Sequence, residues 1–129
     1  MNKKKQYQKI TDKPILYCDV DDTLVMWPAG GQPIPGRESE YISIADIPSP
    51  VLVKPHKEHI NLLKQFAARG HTIVVWSQGG SDWAENVVKA LGLKECVDLI
   101  MPKPYWFVDD LQSHQFMTEG MRIYKKDES

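Results

Sequence analysis

PILYCDVDDTLVMW, residues 14–27, is the stretch whose reading decides the fold. Ile15, Leu16, Tyr17 and Cys18 form an unbroken apolar run, the pattern of a strand covered on both faces. The run stops in three acids packed into four positions, Asp19, Asp21 and Asp22. A second acid pair, Asp109 and Asp110, closes another apolar run, YWFVDD. Acids at the ends of apolar strands need a reason, because like charges brought close must share a proton or be neutralised.

The rest of the chain supplies the frame for that reason. HKEHINLLKQFAARG (56–70) reads as a helix, with Ile60, Leu63, Phe66 and Ala67 as its apolar stripe and Gly70 as its stop. HTIVVWS is predicted to be a second buried strand, and Ser81 to Leu91 a second helix carrying Trp83, Val87, Val88 and Leu91 inward. CVDLIM and YWFVDD read as two further strands, LQSHQFMTEG as a short helix, and MRIYK as a closing strand. Strands alternating with helices predict an α/β fold: a Rossmann-like three-layer sandwich around a mostly parallel sheet. Residues 24–55 hold most of the prolines and three glycines, which excludes a long helix and predicts a flap or loop region, with EYISI and PVLV as short extended pieces that either pair or form the flap.

Composition restricts the class. The chain has 129 residues, enough for one domain with a single core, and a net charge of -1 that draws it to neither nucleic acid nor membrane. Residues 1–12 form a basic, flexible tail with Lys3, Lys4, Lys5 and Lys9; a nucleic-acid-steering arm is the weaker reading. Cys18 and Cys96 belong to no CxxC pair and read as free thiols. With no signal-peptide pattern and no run long enough to span a bilayer, the expected location is cytoplasmic, with no membrane partner.

In a parallel sheet, ligands bind outside the carboxyl ends of the strands. Asp19, Ser77 and the Asp109–Asp110 pair each follow an apolar run, so all are expected to open onto one crevice. Converging carboxylates call for a hard divalent cation; Mg²⁺ fits, because it accepts few carboxylates and keeps waters for a phosphate-bearing substrate. Cys and His show no zinc spacing. The Ser77 hydroxyl and the backbone N–H groups of SQGG suit phosphoryl oxygens, and Lys103, set between Pro102 and Pro104, suits charge neutralisation during transfer.

These motifs resemble those of the haloacid dehalogenase-like (HAD) phosphohydrolase superfamily. DVDDT stands for its first motif, TIVVWS for the second, the lysine of PKP for the third and WFVDD for the fourth, in family order from Ile15 to Asp110. The aromatic and proline in TLVMWPAG give a narrower likeness to its small magnesium-dependent phosphatases. The resemblance implies an uncapped Mg²⁺-dependent phosphomonoesterase. Asp19 is then the nucleophile and a metal ligand, and Asp21 the acid/base with its backbone carbonyl on the metal. Asp110 supplies the third metal ligand, and Asp109 either binds through water or orients Lys103. The family often has an acid four positions beyond the metal-binding one, where this chain has His114. The substrate is expected to be a phosphorylated small molecule or an exposed macromolecular phosphate. Competing functions are a phosphotransferase using the same aspartyl-phosphate and a non-enzymatic binding module; dehalogenation is disfavoured, since it needs neither the second acid nor the metal.

Other residues read as structural. Asp22 caps the turn, and Thr23 is expected to hold the loop through a backbone hydrogen bond. Trp27 either stacks on substrate or anchors the flap. Trp76, Trp83 and Trp106 read as core, and His56, His59 and His71 as surface residues.

Overall fold

A computed structural model describes residues 6–127; of the tail lysines, Lys3, Lys4 and Lys5 lie outside the described residues. In chain order the elements are β1 (Ile15–Cys18), β2 (Val25–Met26), β3 (Ile42–Ile44), β4 (Val51–Pro55), α1 (Lys57–Ala68), β5 (Thr72–Ser77), α2 (Ser81–Ala90), β6 (Leu99–Pro102) and α3 (Ser113–Phe116). The fold is mixed α/β, built on a parallel sheet of order β1-β5-β6.

β5 is the middle strand, and its sequence shows why. Thr72, Ile73, Val74, Val75 and Ser77 are all buried, as expected for β-branched residues enclosed on both faces. β1 pairs with it from Ile15↔Thr72 to Cys18↔Val75, and β6 from Val74↔Leu99 to Ser77↔Pro102. This register brings the carboxyl ends of all three strands to one edge of the sheet. α1 is capped by His56, whose Nδ1 accepts the His59 N–H at 3.2 Å. It ends at Gly70, where φ is +86°, a conformation that a side chain would strain. α2 buries Trp83, Ala84, Val87 and Val88.

The expected flap is a second sheet. β2, β4 and β3 form an antiparallel sheet in that order, with Val25↔Pro55 and Ile42↔Val53 in register. Val25, Ile44 and Val53 join Ile73, Val75 and Val87 in one hydrophobic cluster, so this sheet packs on the same core as the parallel one.

Several expectations fail in the last quarter of the chain. YWFVDD is not a strand: Tyr105, Trp106 and Val108 are 83%, 88% and 104% exposed, so Trp106 is not core either. The physical reason lies just upstream. Lys103 N–H donates to Ser77 O at 3.0 Å, the last bond of the β6 edge; β5 ends there, and the Gly79 N–H beyond it bonds Ser77 Oγ in the turn, so no neighbouring strand continues alongside. MRIYK is not a strand either: the Met121 and Arg122 N–H groups bond Thr118 O and Glu119 O, and the Lys125 backbone is bonded by two side chains, as described below. β6 starts at Leu99, three residues later than CVDLIM suggests, because Asp98 forms a turn in which its N–H bonds Ile73 O and its Oδ2 accepts the Ile73 N–H.

His56 and His59 are buried, not surface residues. Together with Leu63 and Phe66 they lie at i, i+3, i+7 and i+10, the inward stripe of α1, a spacing visible in the sequence.

Candidate functional site

Three parallel strand ends supply the centre of the site. Asp19 follows β1, Ser77 closes β5 and Lys103 follows β6. Lys103 Nζ lies 3.2 Å from Asp19 Oδ1, an ion pair that bridges the two outer strands across the end of the middle one. The other carboxylate oxygen, Oδ2, accepts a hydrogen bond from Thr23 Oγ1 at 3.0 Å. Asp19 is thus held at both oxygens. The Thr23 hydroxyl bonds a side chain, not the backbone as the sequence suggested.

The loop between Asp19 and Leu24 is a compact turn. Leu24 N–H and Val25 N–H both bond Val20 O, and Val20 and Leu24 are buried as its apolar anchors. Asp22 sits at φ 57°, a left-handed conformation that Asp tolerates better than most residues, and its Oδ1 accepts the Trp27 N–H at 3.2 Å. Asp22 is structural, as its sequence context indicated.

Asp21 is held differently from Asp19. Its Oδ1 accepts two indole N–H bonds, from Trp27 at 2.8 Å and from Trp83 at 3.0 Å. Two donors on one oxygen leave the second oxygen of this carboxylate outside these bonds. Trp83 is core, as expected, and is also a ligand of Asp21. Trp27 anchors the loop through that carboxylate. Neither role has a sequence signal beyond the presence of an indole.

Ser77 is fully buried, and its Oγ accepts the Gly79 N–H at 2.9 Å. A Cβ at Gly79 would stand 3.1 Å from Trp83 Cδ1 and 3.2 Å from Ser77 Oγ, tighter than ordinary contact, so a methyl there would press on both side chains. Burial, with Asp19 beside it, pushes the Cys18 thiol up to about 12, so the residue before Asp19 stays protonated.

A pair of buried histidines ties the end of the described chain to this loop. His59 Nδ1 bonds Thr23 O at 2.7 Å, and its Nε2 bonds the Lys125 N–H at 2.8 Å. His56 Nδ1 meets the His59 N–H, and its Nε2 bonds Lys125 O at 2.7 Å. A carbonyl only accepts and an N–H only donates, so each ring carries one proton, His59 on Nδ1 and His56 on Nε2. The rings stack at 3.7 Å, and Tyr124 OH donates to Asp22 O at 3.2 Å. Burial, helped by His56 and Lys125, lowers the His59 pKa, outweighing the Thr23 carbonyl and Glu58, which raise it.

Asp109 and Asp110 are not brought into this centre by a strand. They lie on the exposed irregular segment, and Asp109 Oδ1 accepts the Leu111 N–H at 2.8 Å in a local turn. Among the described residues, no group of three His, Cys, Asp or Glu side chains is placed to hold a metal. The donors at the β1 end, the Asp19 carboxylate and the Asp21 backbone, are hard oxygens of the kind Mg²⁺ takes, but the expected third ligand, Asp110, is not gathered with them. His114 is likewise exposed on α3.

No protein-family model, curated protein or solved structure matches the chain. Among the described residues, no helix is long and apolar enough to cross a membrane.

Proposed function

We propose that the chain is a Mg²⁺-dependent phosphomonoester hydrolase of the HAD type, with a three-layer HAD-like fold and an aspartyl-phosphate intermediate. The observation that carries this reading is the Asp19–Lys103 ion pair at the ends of parallel strands, with Ser77 closing the strand between them. A carboxylate paired with a lysine in a partly open position can attack phosphorus while the ammonium neutralises charge on the transferring group.

In the first step an Asp19 oxygen forms a bond to phosphorus as the bond to the leaving oxygen breaks, and Asp21 donates its proton to that oxygen. In the second, Asp21 takes a proton from water, and the water oxygen attacks phosphorus. The phosphorus–oxygen bond to Asp19 breaks, releasing phosphate and restoring the Asp19 carboxylate and the protonated Asp21. Thr23 fixes the Asp19 carboxylate, and the two indoles fix that of Asp21. Mg²⁺, when bound, supplies charge neutralisation at the phosphoryl oxygens. Asp19 and the Asp21 carbonyl would hold it, with waters in the remaining positions.

The test is phosphate release from an aryl phosphate with and without Mg²⁺. Turnover is expected to require the metal and to vanish in Asp19→Asn. Full turnover in that variant would overturn the nucleophile assignment.

A second reading, a non-enzymatic binding module, draws on the exposed run Tyr105 to Val108 and on the absence, among the described residues, of three His, Cys, Asp or Glu side chains placed to hold a metal. It predicts no phosphate release from any ester under any metal. A phosphotransferase would release phosphate slowly and transfer it to an added alcohol.

A further inference from the structure

Asp19 and Asp21 meet chemically different surroundings. Lys103 and Thr23 bond Asp19 and suit an anionic phosphoryl group. Asp21 itself lines an open cleft of about 370 Å³ together with Trp27, Asp46, Gly79 and Trp83. That lining contains two carboxylates and two indoles, and no basic side chain. A leaving oxygen protonated by Asp21 therefore meets this cleft.

The cleft is built, not incidental. Trp83 is held on α2 and bonded to Asp21, and Gly79 packs closely against it, leaving little room for a Cβ. Asp46 sits on the loop after β3, which Asn86 Nδ2 fixes to α2 through Ala45 O at 3.0 Å. The half-buried Asp46 carboxylate has no hydrogen bond or ion pair within the described residues.

Charge narrows the occupant. The indole centroids are 5.8 Å apart at 37°, so the two rings pack on each other and an occupant lies beside the pair, not between the rings. A cation suits this lining: aromatic rings attract ammonium groups, and Asp46 offers an opposite charge. A leaving group with a carboxylate or second phosphate would meet two acids with no counter-charge in the lining.

We propose that this cleft selects a cationic leaving group, so that the preferred substrates are phosphomonoesters of amino alcohols, including quaternary ones. This rests on the hydrolase reading above for turnover, but cation binding by the cleft does not. The kinetic test compares kcat/KM for 2-aminoethyl phosphate and choline phosphate with that for 2-hydroxyethyl phosphate, a neutral isostere of the first, with Mg²⁺ present. The cationic esters are expected to be preferred roughly 3- to 30-fold, and the ratio should fall towards one in Asp46→Asn.

The second readout needs no turnover. Tetramethylammonium chloride, against sodium chloride at equal ionic strength, is titrated while tryptophan fluorescence is followed in wild type and Asp46→Asn. Saturable quenching confined to wild type supports the cleft even if no ester is hydrolysed, an outcome that would instead remove the hydrolase reading. Aryl phosphate hydrolysis with no cationic preference and no quenching overturns the cleft and leaves the hydrolase standing. Silence in both assays overturns both.

Discussion

Replacing Lys103 by methionine separates the work of this lysine in folding from its work in chemistry. At 3.2 Å, an ion pair in a medium of effective dielectric about 20 has a gross Coulomb energy of about 5 kcal/mol. Very little of that reaches the folding equilibrium. The Lys103 and Asp19 side chains are 31% and 33% exposed, so solvent screens the pair and both charges are well hydrated in the unfolded chain. Pairs of this kind contribute about 0.2–1 kcal/mol. The ammonium also lies 5.9 Å from the Trp76 ring centroid, a contact worth about 0.5–1 kcal/mol in exposed settings, whereas a methionine keeps the apolar stem. Lys103→Met should therefore cost about 1 kcal/mol, a drop of roughly 0.5 M in the urea midpoint at an m-value of about 2 kcal/mol/M. Activity is another matter. Loss of a preorganised positive charge at the transferring group should lower kcat/KM by about 10²–10³-fold. Urea titration and phosphate release on the same preparation measure both. Destabilisation above about 3 kcal/mol would make the lysine a structural strut, and activity within about tenfold of wild type would refute its proposed role.

Further outcomes follow from the same geometry. Cys18, buried and with its thiol raised to about 12, should resist a disulfide reagent at pH 8 until the chain unfolds, while the half-buried Cys96 reacts in the native state; thiol titration with and without denaturant counts the two. Gly79→Ala should destabilise by about 1–3 kcal/mol, because the new methyl meets Trp83 and Ser77, and a denaturation midpoint equal to wild type would contradict that packing. His59, whose pKa is lowered on folding, gives a signed pH dependence. Below the ordinary imidazole value the unfolded state binds the extra proton and the folded state resists it, so the stability contribution is fully present above that value and declines as pH falls towards the folded pKa. His59→Gln should flatten that acid-side slope in urea titrations run across the window.

The legibility of this chain follows from how many partners each feature needs. β5 and α2 are each specified by their own periodicity, a continuous β-branched run and a stripe at Trp83, Val87 and Val88, and both stand where the pattern puts them. Asp19 and Ser77 were expected at strand ends, and the parallel register brings those ends to one edge; Lys103, expected just ahead of a fourth strand, instead follows the end of β6. YWFVDD was misread because an apolar run states only that a strand is possible; pairing needs a neighbour, and β5 ends where the β6 edge stops. The indole bonds to Asp21 were invisible for a related reason. Trp83 is 62 residues from its acceptor, and nothing local in the sequence distinguishes an indole that packs from one that also donates. His56 and His59 were the opposite case: their spacing with Leu63 marked them as inward, and their polarity masked it.

The clamp on Lys125 bears on the order in which the molecule can be assembled. Residues 19–25 are synthesised early, but Tyr124, which bonds Asp22, comes 102 positions later, and Lys125 bonds His59 across 66. Contacts so distant along the chain close late. On an emerging polypeptide, the acidic loop would have β1 in place behind it and nothing yet holding the carbonyls of Asp22 and Thr23 through their final partners. His56 and His59, buried once the fold is complete, would until then lack their bonds to Lys125. Completion of the acidic loop is thus tied to delivery of a segment far downstream, which makes the loop's order a reporter of how much of the chain has been made.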